Sequence, residues 1–253
     1  MNLQKQSYER EGSSTPVMGV KIFGYSVLAG VMALFLYFSM TLLINGALQT
    51  PVGYRVYEVV DGEQVLVQEM TWEEFTALDP EELIVKDDSR FSGETVMGPK
   101  NAVCAALMTG AKVLTQGLML FVLVALCGYY VWAEGDRDRN LVKHHERVAT
   151  PLRGLWIGLI AAVPSLVLYG LLAVGKLGLF AVDSIQGVYR MLNPVFMPLV
   201  LAIMPADVYP ATAVTGMQLV WLFLLWLVLP ATCATAYQLG YRRVFKKKKK
   251  NGK

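Results

Sequence analysis

The chain is poor in the groups on which most soluble chemistry depends. Of its 253 residues, 17 % are charged, two are histidine and three are cysteine; an ordinary soluble domain is about 25 % charged. His144 and His145 are adjacent, and neighbouring helical positions point about 100° apart, so they cannot grip one metal in the i, i+4 manner. They read as part of a solvated basic loop. Cys104, Cys127 and Cys233 have no CxxC spacing, and the last two fall in apolar runs, where cysteine behaves as a small hydrophobe. The stretch from Asn45 to Lys100 has no cysteine, which excludes a disulfide framework there. GxSxG, HExxH and paired-acid motifs are missing too. The expectation is therefore no catalytic residue, no metal site and no cofactor.

Apolar residues are plentiful and gathered. Hydrophobic residues make up 55 % of the chain, with a mean hydropathy of +0.43. They form unbroken blocks at Ile22 to Leu43, Val113 to Trp132 and Met217 to Ala236. A fourth block, Leu155 to Val174, holds Pro164 and Ser165 but no charge. Blocks of about 18 or more such residues point to membrane spans, since about 20 residues of helix cover the roughly 30 Å hydrocarbon core. Buried helices of a large soluble protein would need far more amphipathic sequence around them. The first block is too long for a typical signal-peptide core and no small-x-small cleavage site follows it, so it is expected to stay as an anchor.

Charge gives the threading. Lys5, Arg10 and Lys21 precede the first block; Arg137, Arg139, Lys143, Arg147 and Arg153 lie between the second and third. Arg242, Arg243 and the run Lys246, Lys247, Lys248, Lys249 and Lys250 follow the last. From Asn45 to Lys100, twelve carboxylates face four basic residues. Basic residues collect on the cytoplasmic side, so the expected protein is an all-α integral membrane protein of four spans with both termini inside. Its parts are a tail (1–20), a first span (21–45), an acidic outer α+β insertion (46–102), a second span (103–133) and a basic inner loop (134–153). A third span (154–175), an outer segment (176–215), a fourth span (216–240) and a polybasic tail (241–253) complete it. Near an anionic inner leaflet each tail charge contributes about 1 kcal/mol. The tail thus points to anionic lipid as its partner, and no nucleic acid is expected.

Within 176–215, Asp183, Gln186 and Arg190 share one helical face while Ala181, Ile185, Val188 and Leu192 share the opposite one. Pro194 to Pro205 is apolar but too short to cross. The expected arrangement is an interfacial helix followed by a short re-entrant segment.

GLLAVGKL at residues 170–177 matches seven of the eight positions of the phosphate-loop pattern G-x-x-x-x-G-K-[ST]. That loop must follow a strand, and its final hydroxyl holds Mg²⁺. Here the final position is Leu177 and an apolar helix precedes it, so Gly170 and Gly175 read as a helix end and Lys176 as a snorkelling side chain. The match is an accident of composition.

In the insertion, YRVYEVV and EQVLVQEM flank Asp61-Gly62, the preferred hairpin turn. Thr71 with Glu74 forms a capping box that opens a short helix. Asp79 to Glu82 is expected to add a helical turn and LIVKD a third strand.

Two functions remain in play. Small residues Gly154, Gly158 and Ala162 recur on one face of the third span, a pattern that lets helices approach closely. It favours a non-enzymatic accessory, scaffold or sensor subunit that assembles with a membrane partner or with itself. The alternative is a small permease whose route runs past Lys112, Gln116 and a kink at Pro230. Coupled transporters normally hold ionisable groups at mid-membrane, and acidic residues and histidines are missing from all four span cores. Lys112 lies at the outer end of its span.

Overall fold

A computed structural model describes residues 14–60, 63–78, 90–144, 148, 150–175, 182–205 and 214–242. It divides into two compact units, one of residues 1–38 with 114–253 and the other of residues 39–113.

The larger unit is helical. Helix α1 (Thr15–Leu48) begins at a Thr-Pro pair, which suits proline because the first helical N–H has no partner to lose. Further along the chain come α3 (Ala102–Lys143), α4 (Arg153–Gly175), α5 (Val182–Leu192), a 3₁₀ turn (Pro194–Phe196) running into α6 (Met197–Ile203), then α7 (Gly216–Trp226) and α8 (Val228–Arg242). Four helical stretches are long and apolar enough to cross a membrane: α1, α3, α4 and α7 with α8. They coincide with the four blocks because nothing charged interrupts those runs.

Helix α3 continues through residues 134–143, where the charge pattern suggests a loop. Arg137 pairs with Glu134 at 4.0 Å and Arg139 with Asp136 at 3.4 Å, each at the i, i+3 spacing that supports a helix surface. The last apolar stretch is interrupted at Leu227, between α7 and α8. Pro230, three residues on, lacks the N–H that would bond the Trp226 carbonyl, so the ladder has a gap there. Thr235 donates to the Ala231 and Thr232 carbonyls instead, at 2.8 and 3.0 Å. It therefore does not repair the gap.

One core cluster of this unit joins Met18, Ile22, Ala29 and Ala33 of α1 to Met119, Leu123, Cys127 and Val131 of α3, with Ile157, Ala161, Val195, Cys233 and Tyr237. A second gathers Leu172, Tyr189, Val200, Met204, Val214 and Leu222. The close contacts run through glycine. A Cβ on Gly135 would lie 2.4 Å from the Tyr237 carbonyl oxygen, and one on Gly240 would lie 2.1 Å from that of Trp132. The backbones of α3 and α8 therefore touch, and a side chain at either position would push them apart.

The smaller unit contains the ends of α1 and α3 and a three-stranded antiparallel sheet of order β2-β1-β3, with β1 Gln49–Val60, β2 Glu63–Thr71 and β3 Phe91–Pro99. β1 and β2 are the expected hairpin; the third strand is 91–99. The expected strand at 83–87, the turn residues Asp61 and Gly62, and the helical turn at 79–82 lie outside the described residues. Helix α2 (Trp72–Ala77) opens with the expected capping box. Thr71 N–H donates to Glu74 Oε2 at 2.8 Å, and Glu74 N–H donates to Thr71 Oγ1 at 3.3 Å. Val56 and Met70 are buried in the sheet, and Tyr54 stacks on Phe75 with ring centroids 4.1 Å apart. A Cβ on Gly93 would meet the Tyr54 ring, which explains a glycine inside an edge strand.

Candidate functional site

The larger unit holds two buried polar constellations. The first lies where α3, α4 and α8 converge. Glu134 and Asp138, one turn apart on α3, are both buried, as is Arg153 at the start of α4. Arg153 Nη2 lies 3.1 Å from Glu134 Oε1, and its Nη1 donates to Asp138 Oδ2. The Tyr237 hydroxyl of α8 donates to the same carboxylate oxygen at 2.7 Å. Arg153 Nε reaches the Thr15 hydroxyl of α1 at 3.4 Å. Four helices are thereby tied at one end. Burying an isolated charge costs several kcal/mol, so such groups survive by pairing. Here Arg153 forms ion pairs with both carboxylates, the one to Glu134 Oε1 lacking hydrogen-bond geometry. A guanidinium offers five donors in a fixed fork and two carboxylates answer it. With the exposed Arg137 counted, two acids face two bases, so the cluster carries no net charge.

Sequence reasoning reads Glu134, Asp138 and Arg153 as loop charges. The signal it passes over is spacing. Glu134 and Asp138 sit at i, i+4 on the stripe that also carries Val131 and Gly135, continuous with the apolar block.

The second constellation surrounds the broken segment from Pro194 to Pro205. Pro194 packs against α1 where Gly30 leaves room: a Cβ there would lie 2.9 Å from the Pro194 ring. Gln116 of α3, 7 % exposed, donates to the Val195 carbonyl at 2.9 Å and accepts the Leu199 N–H at 3.4 Å. Gln218 donates to the Ile203 carbonyl at 2.7 Å. Arg190 donates to the Met204 and Pro205 carbonyls, each at 3.1 Å, and to Gln186 Oε1 at 3.2 Å. Asn193 donates to the Tyr189 carbonyl at 3.0 Å and accepts the Ser165 hydroxyl at 2.7 Å. Gln116, Gln218 and Arg190 thus satisfy backbone groups at the two ends of the short helix, where the chain cannot pair them internally.

On α5, Gln186 is buried and Arg190 half-buried, while Val188, Met191 and Leu192 are exposed. Arg190 thus serves the backbone that follows α6, with Gln186 beside it, rather than an aqueous surface. The side chain of Asp183 lies outside the described ones.

The remaining candidates are placed as follows. Gly154 and Gly158 face the chain's own α8: a Cβ on Gly154 would lie 2.3 Å from Tyr237 Cβ, and one on Gly158 would lie 2.7 Å from Pro230 Cα. The Ala162 carbonyl accepts Trp226 Nε1–H at 3.0 Å. The small-residue face is therefore filled from within the molecule. Gln116 and Pro230 are buried in the larger unit and Lys112 is exposed in the smaller one. Gly170 and Gly175 lie in the last turns of α4, a helix and not a strand edge. Lys176, Leu177, Arg243 and the lysine run lie outside the described residues, and Arg242 ends α8.

Among the described residues no group of three or more His, Cys, Asp or Glu could hold a metal. The chain matches no known family, no curated protein and no solved structure.

Proposed function

We propose that the chain is a multi-pass protein of the cell membrane, threaded four times with both termini cytoplasmic and residues 46–100 outside. It acts without catalysis, as an accessory, scaffold or sensor subunit. The observation that carries this reading is the apolar surface that the long helices of the larger unit turn outward while polar side chains lie buried among them. Thr115, Gln116, Glu134, Asp138, Arg153, Gln186 and Asn193 are buried, while Phe35, Phe121, Trp156 and Val167 are more than half exposed. Exposed apolar patches of that extent are a liability in water and the normal state in lipid. The ion cluster supports a static role. Separating α3, α4 and α8 within the bilayer would leave Arg153 and its two carboxylates unpaired but still out of water, and breaking a buried pair in that way costs about 3–5 kcal/mol.

Basic residues at both tails and around Arg137 to Arg153 support the threading. In this reading α5 and the segment 194–205 form an outer, partly inserted hairpin. The small permease remains the second reading, favoured by the broken backbone at 194–205 and at Leu227, because discontinuous helices line the pathways of many transporters.

Cross-linking in native membranes, followed by identification of the joined chains, tests the choice. The scaffold reading expects one recurrent membrane partner, or the chain itself, at yields independent of any solute. A chain that stays uncoupled, and gives purified vesicles a saturable solute flux abolished by Gln116→Leu, would establish the permease instead.

A further inference from the structure

The larger unit contains a cavity of about 420 Å³, within the range of small-molecule pockets. Its wall includes Phe23, Val27 and Leu34 on α1, Ala161 and Ser165 on α4, and residues 191–196 from the end of α5 through the 3₁₀ turn. We infer that this groove holds one acyl chain of a phospholipid from the inner leaflet. The inference rests on the four-span reading above.

Three observations support an acyl chain over another occupant. The first is length. Phe23 to Leu34 rises about 16 Å along a helix, about half of the roughly 30 Å hydrocarbon core, which is the depth of one leaflet.

The second is chemistry. The hydroxyls in the wall are already engaged: Ser26 donates to the Phe23 carbonyl at 2.7 Å, and Ser165 donates to Asn193 at 2.7 Å. The wall gives a polar solute little to replace its hydration, whereas a hydrocarbon chain loses nothing on entering.

The third is position. The groove starts two residues beyond Lys21, on the cytoplasmic side of the threading, and Val27 on its rim is 50 % exposed. A chain can therefore slide in sideways from the inner leaflet while its headgroup stays at the surface. Empty, such a volume would forfeit the dispersion contacts of every side chain lining it.

The experiment uses the full chain in vesicles of phosphatidylcholine and phosphatidylglycerol doped with a phospholipid carrying a photoactivatable diazirine in its acyl chain. Labelled positions are read by mass spectrometry, and native mass spectrometry counts the lipid retained in detergent. The groove predicts labelling concentrated on Val27, Ala161 and their neighbours, with one lipid retained per chain. Val27→Trp, which fills the groove from its exposed rim, should reduce both severalfold. Phe121→Trp, on an exposed face of α3, should leave both unchanged.

Labelling spread evenly over all exposed helix faces, or unaffected by Val27→Trp, would overturn the site. Cross-links between two copies through the groove would replace lipid by a second chain. A carbonate wash of the vesicles separates the two levels of failure. Release of the protein by carbonate defeats the four-span reading and the groove with it; retention without local labelling defeats the groove alone.

Discussion

Arg153 is the residue on which the larger unit depends most. It is 3 % exposed, meets Glu134, Asp138 and Thr15, and shares Asp138 with Tyr237. Arg153→Met removes the buried cation and leaves two buried carboxylates with only the Tyr237 hydroxyl on Asp138 and the distant, exposed Arg137 on Glu134. The expected loss is about 3–5 kcal/mol, measured as a fall in the denaturation midpoint in detergent. Tyr237→Phe removes one hydrogen bond from a carboxylate that keeps its guanidinium, so it should lose only about 1.5–3 kcal/mol. Equal losses in the two variants would show that Arg153 is not the centre of the cluster. Gln116 makes a different prediction. Gln116→Leu strands the Val195 carbonyl and the Leu199 N–H in an apolar setting, so about 1–3 kcal/mol should be lost. Proteolysis within 194–205 should rise in the same variant.

In the smaller unit, Glu74 has its carboxyl held below the ordinary value, first by the Thr71 backbone N–H and then by the Thr71 hydroxyl. A depressed folded-state value means stabilisation that is full above the unfolded carboxyl value of about 4.3 and fades as pH falls through the lower folded one. The protection of the α2 amides, taken relative to the intrinsic exchange rate at each pH, should therefore fall below that range in the wild type. Thr71→Ala, which removes the hydroxyl, should start with faster exchange at neutral pH and respond less to acid. Identical profiles would mean that the box does not hold the helix.

At the scale of elements, Gly158 tests how α4 and α8 meet. Gly158→Leu would drive a side chain into Pro230 and Cys233, and overpacking of this kind costs about 1–3 kcal/mol. The loss should appear in the stability of the isolated chain, and Leu159→Ile, one residue round the helix, should lose little. A Gly158→Leu chain that is as stable as the wild type but fails to associate would assign this face to a partner instead.

The elements also show what periodicity can and cannot carry. The four long helices were legible because a run of twenty uncharged apolar residues leaves few alternatives, and the hairpin because Asp61-Gly62 separates two strand-like runs. β3 was not: in FSGETVMGP glycines at both ends dilute the alternation, and its pairing with β1 is set by contacts about forty residues away. The inward turn of Gln186 was not legible either. The periodicity of a helix gives the direction of its polar face but not what that face meets. Here Arg190 of that face meets the Met204 and Pro205 carbonyls just beyond α6 and the Gln186 side chain. Glu134 and Asp138 escaped for a related reason, since a buried carboxylate is recognisable only once its arginine, fifteen or more residues on, is brought beside it.

At the scale of the whole molecule, one physical idea joins these parts. Side chains such as Phe35, Phe121 and Trp156 turn outward from the long helices, Arg153 pairs with its buried carboxylates, and the sequence gathers basic residues at both tails and around Arg137 to Arg153. The proposed threading has Asp61 and Gly252 on opposite sides of the bilayer. Single cysteines placed at these positions, in a chain whose Cys104, Cys127 and Cys233 have been replaced, test it with an impermeant thiol reagent applied to intact cells. The account predicts labelling at Asp61→Cys in intact cells and at Gly252→Cys only after the membrane is opened. Labelling of Gly252→Cys in intact cells, or protection of Asp61→Cys there, would contradict it.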